Sequence, residues 1–486
     1  MIALHIDALM RALAALHVGT PSAAPAPSPR AEPGAFLTQP VATVIGGLCV
    51  VAAGVLAFLV AYWNRRQTEK HWRTSNRQDR FTAIGTQLAD KSAAVRIAGV
   101  YAMEALVDDW LKPRPIPWTW YLTKPTVTWN TKGRTKTRNH LAQRSTGQAQ
   151  ACINVLCAYL RLPPIKDGSK QTRIYDFTAG LAAKTPPVDL HVRQSIVRTI
   201  AAHLTDKAPG EQWSHLDFDL SGARLYDAKF AGSHFRGTAN FQQVQFYGES
   251  TSFGGAQFHG KNTSFSQAEF HSDRTSFGRA HFYSELTTFF RTQFHGWTTS
   301  FSQTAFHGKR TSFSQAEFRS KSTSFTNAQF SGEQTTFKEA QFHRGRASFN
   351  QARFCCTRTL FDQVQFRGER TSFNQSQFRG ERTSFKRAQF HSQATTFFKA
   401  QFHGQLVSFY QVTFDGQSTA FTEAQFQSRR ISYLDPAVWE NVHFDWDWPL
   451  PSAEQGPGLA KPDNVQPDPW PPPLSIAELC QEGTLP

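Results

Sequence analysis

Phe265-Ser266-Gln267-Ala268-Glu269-Phe270-His271-Ser272-Asp273-Arg274-Thr275-Ser276 is one unit of a twelve-residue repeat that begins again at Phe277. Phenylalanine recurs at alternating intervals of five and seven residues, without a slip, from Phe253 through Phe258, Phe265, Phe270, Phe277 and Phe282 to Phe426. A small residue stands two places before each second Phe, as Ala256, Ala268 and Ala280 do. Thr stands two places before nearly every first Phe, as in Thr251, Thr263 and Thr275. Small, polar, large at i−2, i−1 and i is the phasing of a strand whose alternate side chains point inward. A period of two, broken by turns every five or seven residues, predicts β structure, and the fixed repeat predicts a solenoid. Phe253, Phe258, Phe265, Phe270, Phe277 and Phe282, with Ala268 and Thr275, are the expected core ladder.

The repeat resembles the pentapeptide-repeat family, whose unit is Ala/Ser/Thr, a polar residue, Leu/Phe and two variable residues. Uninterrupted units precede the long array at Phe218-Asp219-Leu220, Ala223-Arg224-Leu225, Ala228-Lys229-Phe230 and Ser233-His234-Phe235. The resemblance covers residues 216–433 and implies a right-handed quadrilateral β-helix, hence a mainly β fold. The chain departs from the family by two extra residues in each pair of pentads, such as Asp273-Arg274 or Lys309-Arg310. These are expected to bulge at every second corner of a 24-residue coil with sides of five, seven, five and seven. A coil of only twelve residues is disfavoured, because two Phe rings per layer at a strand spacing of about 4.8 Å would overfill a thin tube. Nine coils would be roughly 43 Å long by that spacing. If the extra pairs loop outward, deleting Lys309-Arg310 should be tolerated.

Outside the array, residues 1–40 are expected to be disordered, and Val41–Trp63 is a 23-residue uncharged apolar stretch. At 1.5 Å per residue it spans about 34 Å, enough for a bilayer core of about 30 Å. Arg65, Arg66, Lys70, Arg73, Arg77 and Arg80 follow it. The excess of cations on that side predicts a single-pass anchor in the cell membrane, N-terminus outside and the C-terminal bulk cytoplasmic. Residues 64–215 read as a juxtamembrane helical module, with apolar residues at helical spacing in Val95–Leu106, Ala151–Leu162 and Val192–Leu204. This region resembles that of actinobacterial membrane-anchored pentapeptide-repeat proteins. Residues 434–448 supply an aromatic cap with Trp439, Phe444, Trp446 and Trp448, and the Pro-rich tail 449–486 is expected to be disordered.

The formal charge of +15 bears on partners. An insertion at 111–150 carries eight cations and no carboxylates, and interleaves Trp118, Trp120 and Trp129 with Lys124, Lys132 and Arg134. That mixture suits a membrane surface with anionic lipid. It is also the recipe for single-stranded nucleic acid. Within the array, Lys261, Arg274, Lys309, Arg310, Lys321, Arg346, Arg358, Arg370 and Arg382 are expected to form basic ridges along alternate corners. From Phe241 to Arg430 there are 22 Lys and Arg against 12 Asp and Glu. Some pentapeptide-repeat proteins mimic DNA with an acidic rod and bind type II topoisomerases, and the reversed sign here argues against that role.

No Walker loop, GxSxG, HExxH or kinase signature occurs, so no catalytic, metal or cofactor residues are assigned and no small-molecule substrate is expected. The six cysteines have no metal-ligand spacing. Corner histidines should fall into two columns, His271, His295, His343 and His391 in one and His259, His307 and His403 in the other, with no carboxylate to support them. Inward Thr hydroxyls should bond to backbone. The expected function is a non-catalytic, membrane-anchored scaffold presenting a rigid basic β-helix to a protein partner; a membrane-tethered nucleic-acid-binding module is the alternative.

Overall fold

A computed structural model describes residues 56, 58–64, 76–112, 132–165, 187–205, 212–447 and 460–473, with backbone only at 132–145. The chain divides into Met1–Ser75 and Asn76–Pro486. Of the predicted membrane segment 41–63, residues 56 and 58–63 are described; they are helical, and Leu56, Phe58, Leu59, Val60, Tyr62 and Trp63 are exposed. The rest of that segment and the whole of 1–40 lie outside the described residues. Among the described residues no helix is long and apolar enough to cross a membrane.

In the second unit, strands of two and three residues alternate around a four-sided solenoid, from β1 (Phe218–Asp219) to β39 (Val465–Gln466). From Ser250–Ser252 to Leu406–Ser408 every strand pairs in parallel with the strand 24 residues on, as Arg274↔Thr298, Thr275↔Thr299 and Ser276↔Ser300 do. The result is four parallel sheets of eleven, nine, nine and ten strands, one for each side. The first sheet contains β8 (Asn262–Ser264), the second β10 (Arg274–Ser276), the third β11 (His281–Phe282) and the fourth β13 (Gln293–Phe294). The 24-residue coil is thus the observed one.

Each coil contributes four Phe rings to the interior. Phe253, Phe258, Phe265, Phe270, Phe277, Phe282 and Ala268 have no exposed surface, and Thr275 is buried. Rings one coil apart stack nearly parallel: Phe277 and Phe301 lie 4.8 Å apart at 1°, and Phe258 and Phe282 lie 4.7 Å apart at 2°. Rings from opposite sides interleave edge to face, as Phe265 and Phe277 do at 5.3 Å and 88°. Both are favoured aromatic geometries. Each buried ring contributes on the order of 1.5–3 kcal/mol.

Two kinds of corner alternate. At the first, the chain reverses in a turn closed by Ala268 N–H donating to Phe265 O at 3.0 Å, with Gln267 at φ 58°. The equivalent residue in the following units is also left-handed, from Arg279 and Arg291 to Glu423. At the second, the extra pair is not an outward bulge. Asp273 lies in the bend and Arg274 opens strand β10; likewise Arg310 opens β16 (Arg310–Ser312), and Lys309 O accepts bonds from Glu333 N and Gln334 N. The pair is therefore part of the ladder, and the expectation that it loops outward is corrected.

Thr292 and Thr304, standing where most units have Ala, donate to Phe265 O and Phe277 O at 2.7 Å as expected, but the Thr hydroxyls two places before the first Phe depart from expectation. Their partner is a side chain 21 residues on, at the second kind of corner: Thr251–Ser272 and Thr263–Ser284 at 2.7 Å, Thr371–Ser392 at 2.8 Å, and Thr335–Cys356 at 3.0 Å through sulfur. Where that corner holds Gly380, Gly404 or Gly416, the hydroxyls of Thr359, Thr383 and Thr395 are buried without a hydrogen-bond partner. Val407 replaces Thr in the same column, and there it is the Ser428 hydroxyl that is orphaned. The glycine corners sit closer to the preceding coil: a Cβ on Gly380 would lie 1.8 Å from Cys356 O.

Helices close one end of the tube. They are α1 (Ala93–Leu111), α2 (Lys132–Arg161) and α3 (Leu190–His203), preceded by helical residues 76–88. Their core is continuous with that of the solenoid through Trp213 and Leu216. Gln150 makes two bonds to the Asp217 backbone, at 2.7 and 2.8 Å. Arg193 is fully buried, bonded to Asp189 at 2.8 Å and to the carbonyls of Leu160 and Leu162 at 2.9 and 2.7 Å, tying the end of α2 to the start of α3. The predicted helix at 151–162 is the second half of α2, which reaches back into the presumed insertion.

At the other end Tyr433 continues a Phe column, 4.6 Å from Phe409, and Phe444 continues another, 4.5 Å from Phe421. Trp439 and Trp446 pack beside them as predicted, while Trp448 lies outside the described residues. The tail reading is corrected at 460–473. Val465 pairs with Ile431 in β39, and Trp470 lies 5.1 Å from Phe444 and 5.5 Å from Trp439.

The hydroxyl pattern makes a differential prediction. Thr359→Val deletes an orphaned hydroxyl and should hold or raise stability, by up to about 1 kcal/mol, whereas Thr263→Val orphans Ser284 and should cost about 1–3 kcal/mol. Thermal unfolding of the full chain measures both; equal effects would refute the pairing.

Candidate functional site

Among the described residues, the solenoid, filled inside and covered at its ends, offers its four sides as surface. A trough of about 600 Å³ runs along the fourth sheet. One wall is the left-handed turn column Arg291, Gln315, Glu339, Gln363 and Arg387; the other is the strand column Gln293, Glu317, Gln341, Gln365 and Gln389. Both columns step by 24 residues, so equivalent positions stack on successive rungs about 4.8 Å apart.

That spacing lets side chains bond along the axis. Arg291 Nε donates to Gln315 Oε1 at 2.7 Å, and Gln315 Nε2 to Glu339 Oε2 at 2.7 Å. Arg387 Nε donates to Gln411 Oε1 at 2.8 Å, and Gln411 Nε2 to Asp435 Oδ2 at 2.9 Å. The Gln315 bond, aided by Lys338, holds the Glu339 carboxyl below its usual range. A left-handed backbone at a residue with a Cβ is costly, and these axial bonds together with the turn bond help to hold it there. Sequence reasoning missed the columns, although Gln recurs two places after the first Phe at Gln267, Gln303, Gln315, Gln351 and Gln363.

Beside the trough runs the corner that joins the fourth sheet to the second. Here His271 and His295 stack at 4.7 Å and 14°, with Tyr247 5.1 Å beyond His271. On the opposite corner His259, Tyr283 and His307 stack at 4.6 and 4.9 Å. The expectation of unsupported rings is corrected: Glu269 lies 2.9 Å from His271 Nε2, and Asp415 lies 2.7 Å from His391 Nδ1. The His271 bond holds the Glu269 carboxyl down. Burial, followed by the charges of His271 and Arg319, pushes His295 down to about 4. Burial likewise lowers His259, His307, His343 and His403. No group of three or more His, Cys, Asp or Glu among the described residues is placed to hold a metal ion. Burial pushes the Cys356 thiol up to about 11.

The expected ridge residues are all exposed, but on two different sides. Arg274, Arg346 and Arg370 open strands of the second sheet, and Lys321 precedes one; Arg310, Arg358 and Arg382 open strands of the first, with Lys261 and Lys309 just before strands there. Carboxylates share these positions. Glu285, 3.7 Å from Lys309, Glu333 and Glu381 alternate with the cations of the first side. Trp118, Trp120, Lys124 and Trp129 lie outside the described residues; Lys132 and Arg134 open α2, and their side chains are not described.

Residues 220–261 match the family described as pentapeptide repeats (9 copies), and over that stretch the chain is similar to it. No curated protein and no solved structure matches the chain.

The histidines set a pH dependence. A His whose folded pKa is depressed contributes its full stability above its ordinary value of about 6.5 and loses it as pH falls through the folded pKa. The unfolding temperature should therefore drop as pH falls from about 6.5 towards 4, and less steeply in His295→Gln. An NMR titration should place the His295 midpoint near 4; a midpoint near 6.5 would refute the stacked arrangement.

Proposed function

We propose that this chain is a non-catalytic scaffold whose stiff β-helix presents its long sides to macromolecular partners, held at a membrane by residues 41–63. The observation that carries the reading is the closed tube. Its interior is filled by Phe columns, one end is covered by helices and the other by Trp439, Trp446 and Trp470. Within the solenoid only side chains on the four outer faces are open to other molecules, and the similarity to pentapeptide repeats supports an interaction role. The right-handed coil of that family agrees with the strong preference of parallel crossovers.

The membrane anchor rests on the uncharged stretch Val41–Trp63 and the cations that follow it, which favour a cytoplasmic C-terminal bulk. Such tethering keeps the solenoid close to a bilayer. The basic insertion at 111–150 would add contact with anionic lipid.

Two measurements test the proposal. Full chain in native membranes should stay with the pellet after carbonate extraction, and deletion of 41–63 should release it; release of the intact chain would remove the anchor. A photo-crosslinker at Gln341 in the trough or at Gln377 on the third sheet should yield discrete adducts in those membranes. Loss of an adduct on nuclease treatment would assign a nucleic-acid partner and its persistence a protein one, while the absence of adducts at both positions and at Ser322 and Gln334 on the second and first sheets would refute the scaffold.

A further inference from the structure

We propose that the corner between the fourth and second sheets, together with the adjoining trough, is a binding site for single-stranded nucleic acid. This inference goes beyond the scaffold reading and does not depend on the membrane anchor. Three successive coils place Arg319 and Lys321, Arg344 and Arg346, and Arg367 and Arg370 at this corner, all exposed. Arg346 pairs in register with Arg370. The carboxylates of the same corner over these coils are Glu317 and Glu369, and Glu317 is already bound to Arg319 at 2.7 Å.

The middle coil departs from the pattern. At the position two after the second Phe, where other coils of the array carry Gly, Ser or Cys, this coil has Arg344. Gly345 takes over the close approach, at φ 56°, with a Cβ there lying 1.8 Å from Lys321 O. The register of the corner is shifted so that two arginines, at 344 and 346, flank the glycine and both reach solvent. The break in an otherwise regular repeat thus falls at the centre of the densest run of cations on this corner.

The chemistry points to phosphates and bases together. Five of the six cations are arginines, whose planar forks match phosphate oxygens. One coil away, Trp297 is 62% exposed, with Lys321 Nζ 5.5 Å from its ring centroid, and offers a stacking surface for a base. The planar amides of Gln341 and Gln365 line the trough on the next face, where base edges would find donors and acceptors. A recess beside a ridge of cations receives a single strand, whereas a flat bilayer touches only the ridge.

The test uses the full chain in neutral detergent and fluorescein-labelled dT20 and rU20, followed by anisotropy between 50 and 300 mM salt. Five cations without a carboxylate partner predict a log–log salt slope of about −3.5. Arg344→Gln/Arg346→Gln should reduce it to about −2 and weaken binding at least tenfold at 100 mM salt. Trp297→Ala should weaken binding roughly fivefold or more at every salt concentration with the slope unchanged. Arg358→Gln/Arg382→Gln on the first sheet should change affinity less than twofold. The inference is overturned by an absence of binding at 50 mM salt, by an equal loss in the first-sheet variant, or by duplex binding as tightly as single strand. It is also overturned if phosphatidylserine vesicles bind through Arg344 and Arg346 while dT20 does not.

Discussion

Every feature of the solenoid depends on the match between the stacking distance of a Phe ring and the spacing of parallel strands. Rings such as Phe289 and Phe313 lie 4.7 Å apart at 1° because each is fixed to a strand in register with the next. The sheets set the pitch, and the aromatic columns fill the space the pitch leaves. Neither works without the other: two-residue strands such as Glu269–Phe270 carry too few ladder bonds to stand alone, and stacked rings need a backbone to hold them in column.

The same pitch organises the surface. Whatever stands outside at one residue has its counterpart 24 residues on directly above it, so the outer faces are columns of facing side chains, such as Gln293 against Glu317. Gln and Arg use the spacing to bond along the axis, histidines to stack, and Thr to reach a Ser on the next coil. Stacking has an electrostatic consequence for histidine, since neighbouring imidazoles disfavour one another's charge. Irregularity is then informative. Arg344 in a small-residue position and Val407 in a Thr column each change the local bonding in a way that can be traced to one residue.

The interior was legible in the sequence because its signal is redundant: an unbroken alternation of five and seven fixes the phase of every Phe, Ala and Thr. The exterior was less so. That Arg274 and Arg310 open strands rather than bulge depends on backbone bonds that composition does not reveal. The Gln and Arg columns arise only once coil length is known, since Gln315 and Glu339 are neighbours in space through 24 intervening positions. The ordered return of 460–473 was hidden by its prolines; what places it is Trp470 filling the open end of the Phe columns and Asn464 Nδ2 donating to the carbonyls of Phe426 and Ser428.

The coil length carries the whole account, and one distance tests it. Gln293 and Thr413 face outward on the same sheet, five strand steps apart. Spin labels at these two positions in the full chain should give an electron–electron distance centred near 24 Å, five spacings of about 4.8 Å. A distance near 48 Å, as twelve-residue coils would give by the same spacing, would contradict the structure and everything built on it.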